Sequence, residues 1–178
     1  MDAGREVSPE ELARMMLALE DGGCHNINFV TPTHVVPQIL EALVLAREGG
    51  LSVPLVYNSG GYDSVETLRL LEGIIDIYMP DAKYGQDGPA QKYSAAPGYT
   101  AIMKAALKEM HRQVGDLEMD EEGIAVRGLL VRHLVLPGGA AGTEEVVRFI
   151  SQEISPNTYI NVMAQYRPEY QACRFPEL

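Results

Sequence analysis

The chain has 178 residues, of which 46% are apolar and 22% charged; this suits one domain and falls short of the roughly 250 residues of a closed (β/α)₈ barrel. Its 14 Lys and Arg stand against 25 Asp and Glu, and this net charge of −11 argues against nucleic acid or an anionic membrane as partner. Two cysteines, Cys24 and Cys173, cannot supply a four-thiolate metal site or the disulfide frame of a small secreted domain.

Helices and short apolar strands alternate through the first half of the chain. Ser8, Pro9 and Glu11 are typical of the start of a helix, which Gly22 and Gly23 then end. The elements that follow are a strand at 26–30, a helix from Val36 to Gly49, a strand at 54–58, a helix capped by Asp63 with Glu66, and a strand at 74–79.

The second half continues this alternation after one irregular stretch. Residues 84–99 are rich in Gly, Pro, Asp and Ser, which favours a long loop with room for one helical turn. The remaining elements are a helix at 100–114, a hairpin or excursion at 116–127, a strand at 129–136, a helix capped by Thr143, and a strand at 159–163.

Strands that alternate with helices through short loops predict a parallel sheet. Strands that are apolar on both faces fit a sheet covered by helices or curled into a barrel wall. Five strands are too few to close a barrel, and the chain opens on a helix that would normally follow a strand in such a series. The sequence therefore predicts either a small open α/β domain or a partial (β/α) barrel that lacks its first strand.

No basic, apolar leader and no apolar run of about 18 residues stands in the sequence, so we expect a cytoplasmic protein without a membrane segment.

Ligands of such folds bind at the carboxyl ends of the strands, where polar side chains are therefore candidates. Asp81 and Lys83 are two residues apart and face the same side of an extended chain. They could hold a zwitterionic or ribose-bearing ligand, and the alternative is a strand-end ion pair without a ligand. The other candidates at strand ends are Thr31, His34, Asn58, Ser59, Gly60, Arg132 and Gln165 or Tyr166.

Arg132 lies in a run of aliphatic residues, and a buried arginine needs a carboxylate or phosphate partner. That partner is either a ligand or a carboxylate of the domain itself. His133 must face the opposite way, and we expect it to be a satisfied core or interface residue. Cys24 is expected to be structural. For His34 the sequence allows a ligand-binding role and a structural role equally.

Four strings of the sequence carry a family resemblance. They are GCHNINFVTPTHVVPQILEAL, PLVYNSGGYDSVETLRLLEGIIDIYMPDAKY, RGLLVRHLVLPG and INVMAQYRP. In this order they resemble radical SAM proteins related to the pyruvate formate-lyase activating enzyme, over about Glu6 to Pro168. The resemblance implies a partial (β/α)₆ barrel, with residues 5–168 as the barrel portion of one truncated core domain and 169–178 as a tail. It also implies S-adenosylmethionine and a [4Fe–4S] cluster, and reductive cleavage to a 5′-deoxyadenosyl radical.

The same resemblance implies roles for the candidate residues. Asp81 and Lys83 match the Asp-x-Lys pair that contacts the amino acid portion and the ribose, and Arg132 matches the arginine that reaches the methionine carboxylate. The turn from Thr31 to His34 stands, by place only, where the family has a Gly-Gly-Glu motif. The remaining matches are Asn58, Ser59 and Gly60 near the ligand and, more loosely, Gln165 or Tyr166 on the adenine side.

One departure from the family is large, because no C-x-x-x-C-x-x-C motif is present. We expect that this chain is the carboxyl portion of such a protein and is inactive alone, since cluster ligands are absent. For the family, an electron donor and a protein or peptide substrate of the glycyl radical enzyme type are implied partners. A sheet without its first strand should also expose an apolar edge near Asn28 to Val30, which favours association.

Two other classes stay as alternatives. One is a metal-dependent hydrolase or a Schiff-base lyase on a partial barrel, with His34 and Asp81 as metal ligands or Lys83 as the imine-forming amine. The other is a non-catalytic domain that binds a partner protein.

Overall fold

The computed structural model describes residues 4–178. Its helices are α1 (Pro9–Asp21), α2 (Val36–Glu48), α3 (Val65–Leu70), α4 (Asp87–Ser94), α5 (Tyr99–Val114) and α6 (Thr143–Phe149), and a π-helical turn (Ile150–Ile154) extends α6. Its strands are β1 (Ile27–Val30), β2 (Leu55–Asn58), β3 (Ile77–Tyr78), β4 (Glu118–Met119), β5 (Ala125–Leu134) and β6 (Tyr159–Met163).

The strands form a mixed sheet in which parallel pairing dominates. Neighbouring strands β1, β2, β3, β5 and β6 are all parallel, as the alternation of strands and helices predicts. The short β4 adds an antiparallel pair with the start of β5, so the predicted hairpin at 116–127 is confirmed. The carboxyl ends of the five parallel strands therefore meet at one edge of the sheet.

The two faces of the sheet differ. Tyr57, Tyr78, Leu129 and other residues at alternate positions join the helices in one apolar core, and we call their side the helix-packed face. The positions between them, which include Arg132, point to the opposite side, which we call the Arg132 face. Val56 and Ile77 on the Arg132 face are buried outside that core.

Strand β1 is an edge strand in the described part of the chain, because it pairs with β2 alone. Asn28 is exposed and Val30 is 69% exposed. The predicted edge strand is therefore present, but of these two exposed side chains only that of Val30 is apolar, and the association that an apolar edge would favour stays a prediction. None of the helices in residues 4–178 is long and apolar enough to cross a membrane.

Two predicted helix caps are wrong, and for the same reason. Ser64, not Asp63, caps α3 by accepting a hydrogen bond from the Thr67 N–H, because the Asp63 carboxylate is buried in a network of hydroxyl groups. Helix α6 starts after Gly142 without a side-chain cap, since the Thr143 hydroxyl bonds His133 instead. Each side chain prefers a tertiary partner to the local one.

Two predicted elements differ in length from those of the structure, the irregular stretch at 84–99 and the strand at 74–79. The stretch at 84–99 contains the two-turn helix α4, which the Asp87 carboxylate ties to the start of α5 by accepting from the N–H and hydroxyl of Thr100. Strand β3 is only two residues long, since Ile74 and Ile75 still donate their N–H groups to the Leu71 carbonyl.

Glu109 in α5 is a largely buried carboxylate that accepts hydrogen bonds from two side chains of the same helix. It accepts from Arg112 Nε and Nη2 at 3.0 and 2.8 Å and from Gln113 Nε2 at 2.8 Å, and Gln113 in turn donates to the Leu68 carbonyl of α3. These bonds, with that from Arg112 foremost, lower the pKa of Glu109 to about 2.

We expect Glu109→Gln to reduce the free energy of unfolding at pH 7 by about 1–3 kcal/mol, because a charged acceptor is lost from a buried network. A carboxyl whose pKa is lowered on folding stabilises above its unfolded pKa, so wild-type stability should fall between about pH 4.3 and pH 2. Urea denaturation across this range should show a flatter pH profile for the variant. Glu153→Gln, in an exposed pair with Lys108, is the control and should change little; equal losses in both variants would contradict the assignment.

Candidate functional site

Arg132 is the centre of a polar cluster on the Arg132 face, where β2, β3 and β5 end. Its Nε donates to Asp81 Oδ1 at 2.9 Å and its Nη2 to Asn58 Oδ1 at 2.8 Å, and Nη2 also lies 2.7 Å from Asp81 Oδ1 in a salt bridge. The other oxygen of the same carboxylate, Asp81 Oδ2, accepts from Lys83 Nζ at 2.5 Å. We call these four residues, Asn58, Asp81, Lys83 and Arg132, the Arg132 cluster.

The Arg132 cluster carries two cations and one carboxylate, so its net charge is positive in a strongly acidic protein. The side chains of Lys83, Arg132 and Asp81 are 47%, 27% and 18% exposed, which leaves the cluster open to solvent. Arg132 Nη1 donates to no group within residues 4–178. The cluster can therefore offer additional donors to an anionic group without breaking its internal pairs.

The backbone at Asp81 continues the sheet beyond β3 and so aims these side chains. The Ala82 N–H donates to the Arg132 carbonyl at 2.8 Å, the Arg132 N–H to the Pro80 carbonyl at 2.9 Å, and the Asp81 N–H to the Ser59 carbonyl at 2.9 Å. The strand-end ion pair of Asp81 with Lys83, which the sequence offers as the alternative to a ligand, is present. It is built into the sheet.

Tyr99, the first residue of α5, holds the same segment from the helix side. Its hydroxyl accepts from the Lys83 N–H at 2.8 Å and lies 3.1 Å from the Gly60 carbonyl oxygen, to which it donates. Burial raises the pKa of Tyr99, so the hydroxyl keeps the proton that it donates. Sequence reasoning missed Tyr99, because a tyrosine at a helix start matches no local motif.

Asp63 anchors the turns that follow β1 and β2. Its carboxylate, in a residue that is 2% exposed, accepts from the hydroxyls of Thr33 at 2.7 Å, Tyr57 at 3.1 Å and Ser59 at 2.6 Å. Burial, and then the charge of Asp63, raises the pKa of Tyr57, which keeps that hydroxyl a donor. The sequence signal for the role of Asp63 as an anchor is the neighbouring Ser64. Because Ser64 can cap α3, the Asp63 carboxylate is not needed as the cap.

Four of the nine candidate residues, Asn58, Asp81, Lys83 and Arg132, come together in the Arg132 cluster. The other five lie outside it. Gly60 adjoins the cluster, since a Cβ there would lie 3.7 Å from Lys83 Cε. Ser59 turns its hydroxyl to Asp63, away from Asn58. The exposed side chains of Thr31, His34 and Gln165 make no hydrogen bond to the cluster within residues 4–178.

A cavity of about 580 Å³ adjoins the cluster and shares Lys83 with it. Leu134, two positions after Arg132 on the same side of β5, lines this cavity together with Leu136. Tyr166 lines it and Gln165 does not. Residues of the segment 169–178, among them Tyr170 and Phe175, also line the cavity, and Glu177 accepts from Lys92 Nζ at 2.5 Å and the Tyr93 hydroxyl at 3.0 Å. The volume suits a small-molecule ligand.

The other titratable residues of the described part of the chain are the candidates for a metal site. Among residues 4–178, no three His, Cys, Asp or Glu side chains lie close enough together to hold a metal ion. Cys24 and Cys173 are both free and exposed, and the expected structural role of Cys24 stays a prediction. His133 is fully buried and hydrogen-bonded through both ring nitrogens, which agrees with the expectation of a satisfied core histidine.

Comparisons with known proteins extend this description. The uncharacterized protein MJ0674 of Methanocaldococcus jannaschii is 33% identical over 174 residues, which cover 96% of this chain and 46% of that protein. The crystal structure of HydG, a maturase of the [FeFe]-hydrogenase, matches with a TM-score of 0.63 at 12% identity, over 99% of this chain and 41% of that one. The chain thus spans less than half the length of either protein, and its fold resembles that of HydG. No protein-family model matches the chain.

Gly61 lies in the turn after β2, where the backbone packs closely against that of Asp81. It has φ +73°, and a Cβ there would overlap the Asp81 carbonyl oxygen. Gly138 has a similar φ of +61° with open space around it. We expect Gly61→Ala to destabilise by well over the roughly 1 kcal/mol that the backbone conformation alone costs in Gly138→Ala. Urea unfolding of both variants gives the difference, and equal effects would show that the contact with Asp81 does not matter.

Proposed function

We propose that this chain forms the S-adenosylmethionine-binding part of a radical SAM protein with a partial (β/α) barrel. One observation carries the proposal: Asn58, Asp81, Lys83 and Arg132 meet in one open cluster at the carboxyl edge of a parallel sheet. The sequence resemblance assigns three of these four residues to the amino acid portion or the ribose of that ligand. The fold likeness to HydG supports a radical SAM-like fold for the sheet.

The chemistry of the cluster suits the amino acid end of the ligand. That end carries a carboxylate beside an ammonium group, and Arg132 Nη1 and Lys83 offer donors for the carboxylate. Asp81 is the acceptor nearest to them, and its charge favours the ammonium. The adjoining cavity has room for the nucleoside end, with Leu134, Leu136 and Tyr166 as its apolar and aromatic wall.

The residues described do not fit an iron–sulfur cluster, since two exposed and separate cysteines cannot provide its thiolates. No step of the proposal runs through a cluster held by this chain. For the whole protein we propose the activating-enzyme type, with an electron donor and a protein or peptide substrate as partners. The sequence resemblance to that group supports this part.

Schiff-base chemistry at Lys83 has less support from the geometry. An imine-forming lysine is typically desolvated. Lys83 is half exposed, and its Nζ is bonded to the Asp81 carboxylate. The hydrolase alternative has no ligand group for its metal within residues 4–178.

Arg132→Met should weaken S-adenosylmethionine binding at least tenfold in isothermal titration calorimetry, because the cation and its free Nη1 donor are lost. Arg148→Met is the matched control, because Arg148 is exposed and pairs with Glu144 in α6. The affinity of this variant for S-adenosylmethionine should stay within twofold of wild type. Circular dichroism would confirm that both variants fold. Unchanged affinity in a folded Arg132→Met protein would refute the proposed site, and a wild-type chain that binds no S-adenosylmethionine would refute the proposed function.

Anaerobic reconstitution with iron and sulfide should leave the 178-residue chain without a stoichiometric [4Fe–4S] signal, because no three thiolates are available. Electron paramagnetic resonance after dithionite reduction, with iron and sulfide quantified per chain, measures this. A Cys24→Ser/Cys173→Ser double variant separates adventitious iron from ligated iron. One [4Fe–4S] cluster per wild-type chain, lost in the double variant, would overturn the expectation.

A further inference from the structure

His133 lies directly behind the Arg132 cluster, on the helix-packed face of β5. Its ring is fully buried, and both nitrogens have partners. Nδ1 lies 2.6 Å from the carbonyl oxygen of Ala82, and Nε2 lies 2.9 Å from the hydroxyl oxygen of Thr143 at the start of α6. The ring thus connects β5 to the Asp81–Lys83 segment and to a helix.

The donor and acceptor chemistry of these partners fixes the proton of the neutral ring. A backbone carbonyl only accepts, so Nδ1 must carry the hydrogen and donate it to Ala82. Nε2 then has a lone pair, which accepts from the Thr143 hydroxyl. Thr143 thereby favours the tautomer that holds Ala82, which explains why it does not cap α6.

Ala82 stands between the two residues of the cluster that share a carboxylate. It is fully buried, and both of its backbone polar groups are bonded to β5: its N–H to the Arg132 carbonyl and its C=O to His133. With Ala82 held in this way, Asp81 and Lys83 on either side project their side chains to the Arg132 face, where one oxygen of Asp81 meets Arg132 and the other meets Lys83. A rotation of the Ala82 peptide would move both at once.

We propose that His133 is a positioning residue of the ligand site: its Nδ1–H holds the Ala82 carbonyl, and so sets Asp81 and Lys83 in place for a zwitterionic ligand, while Thr143 fixes its tautomer. The role in ligand binding rests on the proposed function. The positioning itself does not, because the pairing of Lys83 with Asp81 exists without a ligand and can be measured in the free protein.

The test compares His133→Asn with His133→Gln. The amide nitrogen of Asn can take the place of Nδ1 and still donate to Ala82, whereas the longer Gln places its amide near the Nε2 position, towards Thr143. Reductive ¹³C-methylation labels the four lysines, Lys83, Lys92, Lys104 and Lys108, and keeps their charge. Lys83→Arg assigns the Lys83 resonance, and Asp81→Asn gives its position when the pair is broken.

We expect the Lys83 resonance to stay at the wild-type position in His133→Asn, and to move at least halfway towards the Asp81→Asn position in His133→Gln. A purely structural histidine would lower stability in both variants and leave the resonance in place, and this result in folded proteins would overturn the proposal. If neither variant folds, long-range ¹H–¹⁵N spectra of the wild-type ring decide. The Nδ1–H tautomer supports the proposal, and the Nε2–H tautomer overturns it.

Titration with S-adenosylmethionine then separates the two proposals. If both hold, His133→Gln binds about tenfold more weakly than wild type, and His133→Asn binds within threefold of it. If the wild type binds none, the proposed function fails, while the lysine spectra still decide the positioning role. If the lysine spectra follow the prediction but His133→Gln binds as tightly as wild type, positioning of Lys83 by His133 has no role in binding, and that part of the proposal is wrong.

Discussion

The pairing of Arg132 with Asp81 is the interaction on which the candidate site depends. An arginine inside an aliphatic strand loses hydration, and it needs an anion close by to offset that cost. The parallel pairing of β5 with the extension of β3 places Asp81 directly beside it. The same geometry brings Asn58 from β2 to the guanidinium and leaves the second oxygen of Asp81 for Lys83. Three separate strand ends thus become one cluster through the guanidinium of Arg132 and the carboxylate of Asp81.

That cluster stays open on its own face because it is held from behind. On the helix-packed side, Tyr99 bonds the Lys83 N–H and the Gly60 carbonyl, and His133 bonds the Ala82 carbonyl. Asp63 holds the neighbouring turns through three hydroxyl groups. These buried groups form hydrogen bonds within the protein, and the bonds offset the desolvation cost of their burial. The supporting contacts therefore fix the backbone while the cationic donors in front remain accessible.

The order of the strands and of every helix except α4 could be predicted from the sequence, because those helices have an apolar stripe. The Gly, Pro, Asp and Ser residues of 84–99 favoured a loop where the structure has α4. That Asn58, Asp81 and Arg132 lie at one edge followed from the parallel sheet, since its strand ends share an edge. The same rule also selected Thr31, His34 and Gln165, which make no hydrogen bond to the cluster within residues 4–178. The supporting residues could not be predicted. Asp63 and Thr143 both fit local capping patterns, and both leave them for partners distant in sequence. Local patterns carry no information on such contacts, so the edge at which the cluster lies was predictable and the groups that hold it were not.

Preorganisation bears on how such a site would select its ligand. Arg132 already has Asp81 and Asn58 as partners, so binding does not require it to find a new conformation, and the ordering cost is largely met before a ligand arrives. A ligand carboxylate would then use donors that the internal pairs leave over, such as Arg132 Nη1. A ligand with a carboxylate alone would face the nearby charge of Asp81, whereas a zwitterion supplies an ammonium that the same carboxylate attracts. One internal ion pair can therefore both hold the site in shape and favour an amino acid over a simple acid.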